Sequence, residues 1–129
     1  MNLGATIREL YTTKEEEQQI VRANLQPGGM RTPQAVVKPK DILSARELVR
    51  EIYLDEKIER YIIELVFATR QPENHGLGHL QQLISFGASP RASIGLGIAS
   101  KAHAFLHHRG YVTPEDVRAV AMDVMRHRI

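Results

Sequence analysis

Helix-start signals punctuate this chain at five places, and the stretches between them hold no convincing strand run. Thr13-Lys14-Glu15-Glu16 has the form of a capping box, with Glu15, Glu16 and Glu17 placed to favour the positive end of a helix. Asp41, reinforced by Ser44-Ala45-Arg46-Glu47, opens a second helix in which Leu43, Leu48, Ile52 and Tyr53 recur at helical spacing. Asp55 caps a third, whose apolar stripe is Ile58, Tyr61, Ile62, Leu65, Val66 and Thr69 and which stops at Gln71-Pro72. Ser89 and Pro90 start a fourth as cap and first helical residue, carrying Ile94, Ile98, Ala102 and Phe105 to a close at Gly110, with Gly95 and Gly97 implying close packing. Thr113-Pro114-Glu115-Asp116 starts the last, with Val117, Val120, Ala121 and Val124 on one face and an end at or beyond Met125.

The spacing predicts a first helix from Thr13 to about Ala23 and a second ending near Tyr53, with a short helical turn at Leu80 to Phe86. Met1 to Leu10 carry no helical stripe and read as a leftover strand or a loose end. Residues 25 to 40, with three prolines and Gly28-Gly29, read as a long connector of the kind that is often mobile or functional. The expected architecture is therefore all-α, a small bundle of four to five helices behind an irregular N-terminal segment, with no internal repeat.

At 129 residues, 43% of them hydrophobic, the chain can bury about two-thirds of its unfolded surface around one core without staples. The absence of Cys excludes thiol catalysis, disulfide scaffolds and zinc ribbons. No apolar run approaches the ~20 residues of a membrane span, and no secretory layout opens the chain, so a soluble cytoplasmic protein is expected. A pI near 9.1 suggests nucleic acid until it is set against a net charge of only +2 with both signs interspersed.

His103 and His107 stand four apart, as two metal ligands on a helix would, but the residues between them lack the Glu of a zinc hydrolase helix; positions on the core boundary near a helix C-terminus are the preferred reading. No GxxxxGK[ST] loop, GxSxG elbow or dinucleotide GxGxxG occurs, so this chain alone is not expected to be an enzyme. In Gly87-Ala88-Ser89-Pro90-Arg91 an arginine falls in the first turn of a helix, where its charge opposes the dipole. An anionic ligand held by arginine and free backbone N–H groups would explain it; a solvated or salt-bridged arginine is the other reading. Arg118, Arg126, His127 and Arg128 could form a basic stripe for nucleic acid, but no aromatic is interleaved for stacking and a solvated helix face is preferred.

Leu48-Val49-Arg50-Glu51-Ile52-Tyr53-Leu54-Asp55, Ala68-Thr69-Arg70, Gly87-Ala88-Ser89-Pro90-Arg91-Ala92, Tyr111 to Arg118 and Arg126-His127-Arg128 together resemble the C-terminal lid domain of MoxR-family AAA+ ATPases. Tyr11-Thr12-Thr13-Lys14-Glu15-Glu16-Glu17 is similar to the segment where that family's ATPase core gives way to the lid, with Thr12 where a proline is usual. The resemblance implies residues 1–40 as the end of the core, a short helix and a connector, and residues 41–129 as the lid. It also implies that Arg91 is the sensor-2 residue reaching the γ-phosphate of ATP, with Ser89 and Pro90 fixing its position.

By the same resemblance, Walker A, Walker B, sensor 1 and the arginine finger belong to a core upstream. The full-length parent is then an ATP hydrolase using ATP and Mg, neither held by this chain alone. It would form a homo-oligomeric ring, commonly a hexamer, with chaperone-like action on protein complexes beside von Willebrand factor A domain partners, and nucleic acid is not an expected ligand. The rivals are a free-standing helical module that binds nucleic acid or an acidic protein, and a lid that only packs between subunits while Arg91 makes a salt bridge.

Overall fold

In the computed structural model, which describes residues 12–29 and 31–129, five α-helices and three short 3₁₀ segments follow one another without a strand among the described residues. The all-α expectation holds. The reading of Met1 to Leu10 lies outside the described residues.

Helix α1 spans Lys14–Leu25, two residues longer than its sequence spacing indicates. Its capping box is formed: the Thr13 N–H donates to Glu16 Oε2 at 2.8 Å and the Glu16 N–H to Thr13 Oγ1 at 3.3 Å. None of its residues is buried. After a turn through Gly28 and Gly29, both at positive φ, an exposed stretch leads to α2, Pro39–Glu51. This start precedes the expected one because Asp41 acts from inside the first turn, accepting the Lys38 N–H at 2.9 Å, while Pro39 supplies the pre-set first residue. The expected stripe of α2 is corrected as well: Leu43 and Leu48 are more than half exposed, and only Ile52, just past the helix, enters the core.

Helix α3, Glu56–Arg70, follows its sequence pattern closely. Asp55 accepts the Lys57 N–H at 2.8 Å, Ile62 and Val66 are buried, and Ile58, Tyr61 and Leu65 pack around them. The 3₁₀ segments Pro72–His75 and Gly78–Leu83 then carry the chain back. The turn expected at Leu80 to Phe86 thus begins and ends earlier, since the chain must already be extended at Ser89 (ψ 168°) to enter Pro90.

Helix α4, Pro90–Leu106, is the hub on which α2, α3 and α5 pack. Its buried side is Ala92, Gly95, Leu96, Ser100 and Ala104, whereas Ile94 is 60% exposed, so the expected Ile94, Ile98, Ala102 and Phe105 stripe is corrected. A helix with neighbours on several sides gives most of its crowded positions to small residues, and of its large apolar side chains only Leu96 is fully buried. Gly95 is buried as the close-packing reading requires, whereas Gly97 faces open space.

The end of α4 also differs from expectation. His108, not Gly110, takes the left-handed conformation, with φ 57°. Its N–H donates to Phe105 O and that of Arg109 to Ala104 O, each at 3.0 Å, the paired bonds of a Schellman close. Helix α5, Pro114–Met125, buries Val117 and Val124 with Val120 and Ala121 beside them, and a 3₁₀ turn, Arg126–Arg128, ends the chain. The Tyr53 N–H donates to Gly110 O and the Val112 N–H to Tyr53 O, both at 2.9 Å, clipping the α2–α3 junction to the α4–α5 junction.

Candidate functional site

The approach to α4 is built by the last turn of α3. A Cβ added to Gly87 would stand 2.6 Å from Arg70 Cα, so only glycine fits there. Ala88 is fully buried, and both of its backbone polar groups are bound by α3 side chains. Its N–H donates to Thr69 Oγ1 at 2.9 Å, and its carbonyl accepts from Arg70 Nε at 2.5 Å. The Thr69 hydroxyl donates in turn to Val66 O at 2.7 Å, and the Arg70 guanidinium lies 4.8 Å from the centre of the Phe67 ring.

Ser89 and Pro90 then turn outward into solvent and deliver Arg91 into the first turn of α4. Ser89 holds the cap position with extended backbone, as the sequence indicates, although its side chain makes no capping hydrogen bond. The first turn contains no acidic residue, unlike the starts of the other four α-helices. Arg91 is exposed and, among the described residues, has no ion-pair partner. The salt-bridged alternative is therefore not what these residues form. Arg91 thus stands exposed at the positive end of a helix, in a first turn without a carboxylate to neutralise it. It has no carboxylate for a metal, and among the described residues no three His, Asp or Glu side chains gather as a metal cluster.

The opposite end of α4 holds the other polar centre, which the sequence signals did not reveal. Asp116 is fully buried and receives both arms of the Arg109 fork, at 2.6 and 2.5 Å, the Thr113 N–H at 2.7 Å and the His103 Nδ1 at 2.7 Å. Burial pushes the Asp116 carboxyl up, but Arg109, the Thr113 backbone and His103 together outweigh it and hold the group well below the usual carboxylate range. His103 and His107 do share a face, stacked with centroids 4.2 Å apart, near the helix C-terminus as the preferred reading had it. His103 spends its Nδ1 on Asp116, and His107 Nδ1 contacts His103 O at 2.9 Å.

The terminal basic residues are dispersed in role. Arg118 pairs with Glu115 at 2.8 Å across one turn of α5, and Arg128 is half-buried in the closing turn. A separate apolar groove of about 390 Å³ runs between α2, α3 and α4, floored by Ile62, Ile94 and Ile98; Lys101 at its rim donates to Arg50 O at 3.1 Å. This groove accounts for the exposure of the α4 isoleucines, and Arg91 does not line it.

Comparison with known proteins bears on the whole chain. Residues 79–129 match the AAA lid domain family. The chain is 36% identical over 121 residues to the chaperone MoxR1 of Mycobacterium tuberculosis, a match covering 92% of this chain and 31% of that protein. It is 42% identical over 76 residues to the MoxR protein of Paracoccus denitrificans, covering 56% of this chain and 22% of that one. A crystal structure from Cytophaga hutchinsonii, provisionally assigned as an ATPase, superimposes with a TM-score of 0.89 at 40% identity, covering 98% of this chain and 38% of the other. The chain thus spans between 22% and 38% of the length of these relatives.

Proposed function

We infer what this chain does from the family it belongs to, the MoxR family of AAA+ ATPases, of which it forms the helical lid region. In this reading Arg91 is the sensor-2 residue: it extends from the start of α4 toward the γ-phosphate of an ATP held by the ATPase core. The observation that carries it is the unneutralised Arg91 in a first turn without acids, at a helix end whose N–H groups and dipole already favour an anion. Ser89 and Pro90 set where that turn begins. The residues fit a phosphate and do not fit Mg, which falls to the core along with the Walker motifs that these 129 residues lack.

Arg91 has two states to distinguish. With the γ-phosphate present, a bidentate, charge-assisted contact draws the lid toward the core; after hydrolysis that contact is gone and the lid is released. The transferring phosphoryl group gathers charge on its outer oxygens, so the same contact lowers the barrier as well as sensing the product. The lid movement would be passed around a ring of subunits, commonly six, to remodel or mature protein complexes, with von Willebrand factor A domain proteins as candidate partners. Residues 1–40 then belong to the end of the core and residues 41–129 to the moving lid. Among the described residues no helix is long and apolar enough to cross a membrane.

The test is Arg91→Ala in the full-length ATPase. Turnover should fall roughly tenfold to a thousandfold, the range for losing one preorganised contact to transition-state charge, with the fold intact. Unchanged turnover would falsify the role of Arg91.

A further inference from the structure

We infer that Thr69 and Arg70 are positioning residues for Arg91, a clamp by which the last turn of α3 sets the angle at which α4 presents its arginine; this rests on Arg91 reading the γ-phosphate. A helix start is ordinarily oriented by its own cap. Here the Ser89 hydroxyl makes no cap bond, and the orientation comes from Ala88, one residue upstream and fully buried. Each polar group of Ala88 is held by a different side chain of α3, the N–H by Thr69 and the carbonyl by Arg70. The Thr69 hydroxyl proton is committed to Val66 O, which leaves its lone pair aimed at Ala88. The Arg70 plane is steadied over the Phe67 ring, and Gly87 lies against Arg70 with no room for a Cβ.

These ties act on two consecutive residues, and Arg91 follows only three positions after Ala88 along a rigid helical start. A small tilt there shifts the guanidinium by a comparable amount, and a misplacement of about 1 Å can cost on the order of a hundredfold in rate. Neither Thr69 nor Arg70 needs to touch nucleotide for this effect.

The test measures kcat and KM for ATP in the full-length ATPase for Thr69→Val, Thr69→Ser, Arg91→Ala and the Thr69→Val/Arg91→Ala double variant. Thr69→Val, which keeps the shape and removes the acceptor, should lower kcat about tenfold with little change in KM, and Thr69→Ser should restore most of the rate. Because Thr69 acts through Arg91, the double variant should turn over no more slowly than Arg91→Ala alone. If Thr69→Val fails to fold, Arg70→Met carries the same expectation, since it keeps the bulk against Phe67 and loses the donor to Ala88. Full activity of Thr69→Val while Arg91→Ala is impaired overturns the clamp, as does a double variant whose losses multiply. Full activity of Arg91→Ala overturns instead the reading of Arg91 on which the clamp rests.

Discussion

The two ends of α4 treat an arginine in opposite ways. At the C-terminal end Arg109 is forked onto buried Asp116, with His103 on the same carboxylate, where cations also suit the negative pole of the helix. At the N-terminal end Arg91 stands exposed against the positive pole, without an ion-pair partner among the described residues. The first arrangement satisfies every charge it buries and ties α4 to α5. The second leaves its charge to solvent among the described residues, where the proposed phosphate contact would find it. One end of the helix is tied into the fold by paired charges, and the other keeps the arginine on which the proposed phosphate contact rests.

The largest expected effect on stability is at the paired end. Asp116→Asn removes the acceptor charge that Arg109, His103 and Thr113 share and should cost about 3 kcal/mol or more, seen as a lower Tm. Acid should reproduce that loss. The folded-state pKa of Asp116 is depressed below an unfolded value near ~3.9, so its contribution is complete above roughly pH 5 and erodes as pH falls through ~4 toward the folded value. A Tm profile from pH 7 to 3 should therefore drop less steeply for Asp116→Asn than for the parent; parallel profiles would remove Asp116 from the explanation.

Gly87→Ala comes next, because its Cβ would meet the Arg70 backbone, and about 1–3 kcal/mol of overpacking strain is expected in a denaturant titration. Arg91→Ala should be smallest, within about 0.5 kcal/mol of the parent, since no side-chain hydrogen bond or ion pair among the described residues is lost. A large destabilisation by Arg91→Ala would erase the contrast between the two ends.

The caps were legible because they are local. Thr13 with Glu16, Asp55, and Thr113 with Asp116 state their hydrogen bonds within three residues, and all are made. The stripe of α3 was equally legible, since one broad apolar face leaves little choice of orientation. The stripe of α4 was not: the count of large apolar residues pointed to Ile94 and Ile98, whereas the position of the helix among three neighbours reserved the inside for Ala92, Leu96, Ser100 and Ala104. Arg91 could be singled out by its conflict with the helix dipole. Its supports, Thr69 and Arg70, could not be assigned a role, because their partner Ala88 lies 19 and 18 residues away and the partner atoms are backbone.

Helix number, four of the five helix starts and the anomalous arginine follow from the amino-acid sequence, because each depends on interactions closed within about one turn of chain. Which face of α4 is buried, which residue closes it, how Asp116 is satisfied and what aims Arg91 were decided by the tertiary structure. Those outcomes depend on groups brought together from distant segments, and packing and desolvation act on neighbours in space, whatever their separation along the chain.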